Sequence, residues 1–324
     1  MDWKTILIAT ILVMSAIACG GAEEPAKKPV AEAAKPAEPA ATAPALPALP
    51  AVVATVGTAK ITREQVEAPL KNAPPGVSPE QLAAARGQII ADMITREMVH
   101  AYVEAKKVPC DPNELTKVKE DIATAATRQN TTPAKLMQSA GLTEERLRDH
   151  VRMKALSDQV AGEKQIDALL KEHPSYFNGT KVQASHVLLA CEPHAPTKDQ
   201  QAAVAKLKKI GADIAAGTTT FEQAAGEHSA CPSGKRDKGS LGEFTFDRMV
   251  PPFSMQAFGM KIGEVSGVVR TQFGFHIIKV TKRTDGEAAP GPEARKTAER
   301  ALMAQLQNRI FDQALTTCPI VMTP

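Results

Sequence analysis

Three things are in short supply in this sequence of 324 residues. The first is charge of one sign. Lys and Arg number 39 against 36 Asp and Glu, a formal net charge of +3, so no bulk field draws the chain to nucleic acid or to an anionic membrane. The second is aromatic residues, 4% of the chain with a single Trp, while Ala and Pro are plentiful; that balance suggests a non-globular portion. The third is a hydrophobic run of spanning length. The longest apolar stretch, "TILIATILVMSAIA", covers residues 5–18, whereas a spanning helix needs roughly 20. It suits the h-region of an export signal, with Lys4 before it and small residues after it. What remains is long enough for two ordinary domains.

The run ends "SAIAC-GG", which resembles the lipobox of bacterial lipoproteins, in which the cysteine, here Cys19, is lipidated and becomes the first residue. An ordinary signal peptide cut after the "A-x-A" of Ala16 to Ala18 is the other reading. Residues 20–51 carry seven prolines between Pro25 and Pro50, with mixed Glu and Lys; such a segment forms no helix and stays solvated, as a semi-extended tether. Exported cysteines can pair, and four remain: Cys110, Cys191, Cys231 and Cys318. They allow three connectivities.

From Val52 the pattern turns globular. "AVVATVGTAKIT" predicts a hairpin about Gly57, and Thr62 with Gln65 a capping box for the helix that follows. Ser78-Pro79-Glu80-Gln81 repeats the device. Ile90, Met93, Ile94, Met98 and Tyr102 then recur at helical spacing, and further helices open at Thr132-Pro133 and Thr143. Residues 52–178 therefore read as mostly helical. Near Lys181 the period changes: "KVQASHVLLA" alternates as a strand, Val204, Leu207, Ile210 and Ile214 form one helical stripe, and Phe221, Ala224, Ala225 and His228 a second. After a loop, "SACPSGKRDKGSLG", come strands in "SLGEFTF" and "GFHIIKVTK" with a short helix around Ser254 to Phe258 between them. The order β-α-α-β-α-β over residues 179–284 describes a small α+β domain with an antiparallel sheet and packed helices. Residues 285–324 hold a breaker and a last helix with Leu302, Leu306 and Ile310 four apart; a lone amphipathic helix must bury its stripe elsewhere, here on the N-terminal helical part.

"ASHVLL", "FEQAAGEHSACPSG", "GSLGEF", "MVPPFSMQAF" and "KIGEVSGVVRTQFGFHIIKV" occur in the order and spacing of parvulin-type (PpiC, rotamase) peptidyl-prolyl isomerases. The flanks resemble SurA- and PrsA-type folding factors, which begin with a "V-x-G-x-x-I-T" hairpin and a helical chaperone domain and return in a terminal helix. The resemblance implies Leu241, Met249 and Phe253 around the proline ring, with Phe273 as an apolar wall. It also implies His186 and His276 as the paired histidines of the family, and Cys231 beside them.

The residues read by themselves agree with that chemistry. Rotation about an X-Pro bond faces a barrier of about 18–20 kcal/mol set by amide resonance. Lowering it needs no nucleophile, metal or cofactor, only a dry apolar slot that favours the twisted amide. Two histidines amid apolar strand residues are costly to bury charged, so neutral rings bonded to each other or to Thr271 are expected. The plain alternative for each of these side chains is ordinary core.

Other constellations carry less. Cys191, His194, His228 and Cys231 have zinc-like spacings, but His228 is expected on the apolar face of its helix, and no metal is assigned. Disulfides are conceivable between Cys191 and Cys231 and between Cys110 and Cys318. The loop "ACEPHAPTKDQ" lacks the cations of phosphate-directed parvulins. A cysteine-dependent enzyme lacks a base and orienting partner at recognisable spacing. The sequence thus predicts an exported, lipid-anchored prolyl isomerase and folding factor for proline-containing envelope proteins, without nucleic-acid partner or cofactor. The other reading is a non-catalytic chaperone that keeps the fold for peptide binding.

Overall fold

The computed structural model describes residues 47–71 and 76–323; the stretch read as an export signal, Cys19 and nearly all of the stretch read as a tether lie outside them. The chain enters through the hairpin β1 (Val52–Val56) and β2 (Ala59–Thr62), which turns at Gly57 with φ +59°. Helix α1 (Arg63–Leu70) starts from Thr62, which with Gln65 closes the capping box reciprocally. Ser78 and Gln81 do the same for α2 (Pro79–Ala105), whose Ile94, Met98 and Tyr102 are buried. Three helices follow, α3 (Pro112–Arg128), α4 (Pro133–Ser139) and α5 (Glu144–Ala161), with their own small core of Val118, Ile122, Leu136, Leu147 and Val151.

Helix α6 (Glu163–Glu172) leads to β3 (Lys181–Ala190). Two helices cover one face of the sheet, α7 (Thr197–Ala215) and α8 (Phe221–His228). The stretch expected as a plain loop is partly helical: α9 (Pro232–Asp237) has Cys231 at its N-cap and Pro232 in its first turn, a place where a missing N–H costs nothing. Then come β4 (Ser240–Phe244), α10 (Pro251–Gly259), β5 (Val269–Thr271) and β6 (Gly274–Thr284). The sheet is antiparallel in the order β4-β3-β6-β5. Its fourth strand, β5, is only three residues long, too short for alternation to reveal.

Helix α11 (Ala294–Thr317) joins the two halves. Its Leu306 and Ile310 pack with the hairpin and α2 as the stripe predicted, joined by Phe311 and Ala314, but the third stripe residue, Leu302, lies with Ala298 and Ala301 against the core of the α+β domain. Helix α6 contributes Ile166 and Leu169 to that same core, although it precedes residue 178. Arg295 ties the two helices by ion pairs to Asp167 and Glu163. A last strand unforeseen in the sequence, β7 (Ile320–Met322), adds to β1 and gives the order β2-β1-β7.

Neither of the two disulfides the sequence allowed forms: Cys110, Cys191, Cys231 and Cys318 are all free. Cys110 packs in the α3–α5 core, while Cys318 is buried beside the hairpin, where a Cβ on Gly57 would lie 2.9 Å from its Sγ. The thiols of that pair serve different cores. Among the described residues no helix is long and apolar enough to cross a membrane.

Candidate active site

The pairing of β3 with β6 sets His186 opposite Ile278 and His276 opposite Leu188. The two histidines are therefore offset by two residues and share one face, as diagonal neighbours. That face also carries Ala184, Ile278 and Val280 toward α10, whereas Val187, Phe275 and Ile277 face α7 and α8. The rings lie 5.3 Å apart, and His186 Nδ1 meets His276 Nδ1 at 3.1 Å. His276 Nε2 lies 2.7 Å from Thr271 Oγ1, which in turn accepts the Phe273 N–H at 3.1 Å.

Both rings are buried, at 6% and 3% exposure. Burial pulls the His186 pKa down to about 4. Burial, and secondarily His186, pulls His276 down to about 3. Each ring is thus neutral at pH 7 and carries one proton, and counting donors fixes which nitrogen holds it. The Thr271 hydroxyl donates to His276 Nε2, and His276 Nδ1–H donates to His186 Nδ1. His186 is then left with its proton on Nε2, a buried atom without a partner. The opposite sense would strand the Thr271 hydroxyl proton as well. One unspent donor is cheaper than two unspent groups.

Phe253, 3% exposed at the start of α10, stands edge-on to both rings, with centroids 5.7 Å from His186 and 5.6 Å from His276. Leu241 on β4 and Met249 just before α10 are half-buried against the same core. Ser254 fixes the start of α10 by donating its hydroxyl to Phe246 O at 2.6 Å. Phe258, near the end of α10, is core: it is 2% exposed among Phe244, Phe246 and Tyr176. Phe273 lies at the β5–β6 turn and is 54% exposed.

The stretch 229–242 closes on the back of His186. The His186 N–H donates to Gly239 O at 2.9 Å, and Ala230 N–H donates to Leu188 O at 2.7 Å. Ser229 Oγ accepts the Leu188 N–H at 3.1 Å. Cys231 is half-buried and its Sγ accepts the Ser233 hydroxyl at 3.2 Å, so the thiol is engaged by its own helix. Lys235, Arg236 and Lys238 are exposed.

The zinc-like set does not assemble. His194 turns to Thr95, 2.7 Å away, and to the Phe311 ring. His228 is half-exposed beside Glu227, not on the apolar face of α8. Among the described residues the metal-ligating atoms that gather are those of His100, Glu104 and Asp149, where Arg152 already pairs with both carboxylates.

Sequence reading passed over Arg270. It is 9% exposed on β5, next to Thr271, and no sequence signal marked it, because the strand that buries it is too short to show a period.

Comparison with known proteins gives a consistent picture. Residues 186–282 match the rotamase family model, described as a PPIC-type PPIase domain. The peptidyl-prolyl cis-trans isomerase Pin1 of Malus domestica is 37% identical over 116 residues, which cover 32% of this chain and 95% of the relative. The foldase protein PrsA of a Geobacillus species is 31% identical over 194 residues, 59% of this chain and 63% of the relative. A SurA sequence of Haemophilus influenzae is 28% identical over 249 residues, 70% of this chain and 78% of the relative. The chain therefore spans a little under two thirds of that PrsA.

Proposed function

The chain belongs to the PPIC-type peptidyl-prolyl cis-trans isomerase family, and on that premise we propose that it turns X-Pro bonds of unfolded client proteins by non-covalent catalysis. The proline ring enters the slot of Leu241, Met249 and Phe253, where an aliphatic and aromatic lining strips water from the prolyl amide. A planar amide keeps its resonance best in water. In a dry slot the twisted amide, with less charge separation, is favoured relative to it. The His186 Nε2–H is the donor left over for the substrate. As resonance is lost the prolyl nitrogen becomes basic, and a fixed donor nearby is worth more to the twisted state than to the planar one. Thr271 and His276 act as positioning residues that hold the donor in this sense.

The observation that carries this reading is the neutral histidine pair set edge-on to Phe253. Phe273 would form an outer apolar wall at the mouth. Cys231 is a polar neighbour and attacks nothing, and no metal or cofactor enters the reaction. The remaining layout follows the sequence reading. Residues 1–19 are an export signal with lipidation at Cys19, residues 20–51 a tether, and the hairpin with α1 to α5 a chaperone-like body that the later turns of α11 complete. The protein then works in the cell envelope, tethered to a membrane, on proline-containing envelope clients.

Met249→Ala opens the slot without disturbing a fully buried position. It is expected to lower kcat/KM for a proline tetrapeptide at least tenfold, with an unchanged circular dichroism spectrum. Equal rates for the two chains would remove the slot and leave a chaperone that binds through an inactive fold.

A further inference from the structure

A cleft of about 880 Å³ lies between the β5 edge of the sheet, α10 and α11. None of Leu241, Met249, Phe253, His186 and His276 lines it, so it is separate from the proposed proline slot. Its size falls within the range of ordinary ligand sites.

Arg270 is the unusual group in its wall. The side chain is nine-tenths buried, with the guanidinium 4.6 Å from the Phe275 ring centroid and 5.8 Å from that of Phe311. Arg270 Nε donates to Asp312 Oδ1 at 3.1 Å, and Nη1 donates to Gln200 Oε1 at 2.8 Å. Arg270 Nη2 is buried with no partner. Two aromatic rings and two hydrogen bonds fix the guanidinium plane, yet one nitrogen is unspent. A buried charged donor without an acceptor is costly to keep, and such groups ask for an explanation.

The surroundings say what would satisfy it. Lys208, Arg270 and Arg309 stand in the lining against a single carboxylate, Asp312, whose side chain is 65% exposed. The charge is complementary to an anion. Met255, Val269 and Leu315 add apolar wall. Strand β5 is the outermost strand of its sheet, and the Arg270 carbonyl accepts from the Asn308 side-chain amide at 3.2 Å. An outermost strand is where an extended backbone can lie alongside, with this one carbonyl already taken by Asn308.

We propose that this cleft is a second polypeptide site, in which Arg270 takes the carboxylate of an acidic residue in an extended, otherwise apolar client segment. The occupant rests on the folding-factor reading; the carboxylate preference rests on Arg270 alone. Holding an acidic apolar segment here would keep a client on the chain while a proline elsewhere in it visits the catalytic slot.

The test uses the full chain and two fluorescein-labelled, C-terminally amidated peptides without proline. One is Val-Thr-Val-Asp-Val-Thr, and the other has Asn in place of Asp. Fluorescence anisotropy is expected to show the Asp peptide binding at least about tenfold tighter, the discrimination typical of a charge-assisted hydrogen bond. Arg270→Gln removes the difference, and Arg300→Gln, exposed on α11 and outside the cleft, keeps it. Equal affinities in the wild-type chain would overturn the proposal, a comparison that needs no variant to fold. So would undiminished discrimination in Arg270→Gln. Turnover of a proline tetrapeptide, measured in the same samples, separates the two readings. A chain that isomerises without discriminating loses only the cleft; one that discriminates without isomerising loses only the catalytic slot.

Discussion

Thr271 holds the histidine pair in one protonation sense, because its oxygen accepts from the Phe273 backbone and leaves its own proton for His276. Thr271→Val removes that proton, so the chain of hydrogen bonds can reverse and the His186 Nε2 position loses its fixed hydrogen. We expect roughly tenfold slower isomerisation, the worth of one buried hydrogen bond, and near-normal rates in Thr271→Ser. Imidazole nitrogen NMR would show a single His186 tautomer in the wild-type chain and a mixture in Thr271→Val; one unchanged tautomer in both would contradict the assignment. The pair also makes a pH prediction. Folded His186 and His276 bind protons less readily than the unfolded chain does, with pKa about 4 and about 3 against the ordinary 6.5. Between those values the unfolded state holds more protons, so stability is lost as pH falls below 6.5 and is fully present above it. Denaturant midpoints should therefore drop from pH 7 to pH 5, while the ring signals of both histidines stay still over that range; signals titrating near 6.5 would contradict the burial argument. The pair was read from the family resemblance, and the cost of burying charge added only that both rings would be neutral. Arg270 was not legible in the sequence, since its worth depends on Phe275, Phe311, Gln200 and Asp312, which only the fold brings together.

Among the elements, the short helix α9 and the turn after it decide how β3 is presented. Gly239 has φ +84°, and a Cβ there would lie 2.7 Å from the His186 carbonyl oxygen and 2.8 Å from Ala225 Cβ. Only glycine tolerates both the left-handed backbone and that approach. Gly239→Ala is expected to cost about 1–3 kcal/mol of stability and to impair isomerisation through the displaced His186, as chemical denaturation and turnover would record; unchanged values of both would show the contact to be slack. The two glycines at the end of "SACPSGKRDKGSLG" were visible in the sequence, and so were the caps at Thr62, Ser78 and Thr143, because capping is a local affair of three or four residues. The helix within the stretch was hidden by its shortness. Strand β7 was hidden for another reason: three residues next to the chain end become a strand only because β1 offers an edge.

At the scale of the whole molecule, the boundary read near residue 178 does not separate two independent cores. Helix α6 and the first turns of α11 complete the hydrophobic core that holds Phe253, while the rest of α11 completes the core under the hairpin. Periodicity identified the helices, but a stripe of apolar residues does not name its partner. Ending the chain at residue 285 should therefore destabilise both bodies, with faster amide exchange in β1 and in β6 alike; wild-type protection in β6 would show that the isomerase domain stands alone. The same packing dictates that catalysis be measured on the full chain. The most direct measurement is exchange spectroscopy of a proline tetrapeptide at substoichiometric chain, comparing cis–trans interconversion with and without protein. A catalyst built on a dry slot and a neutral histidine pair predicts acceleration far above the uncatalysed exchange, which takes tens of seconds or longer, and most of it lost in Met249→Ala. A folded full chain that leaves the exchange rate at its uncatalysed value would contradict the isomerase reading.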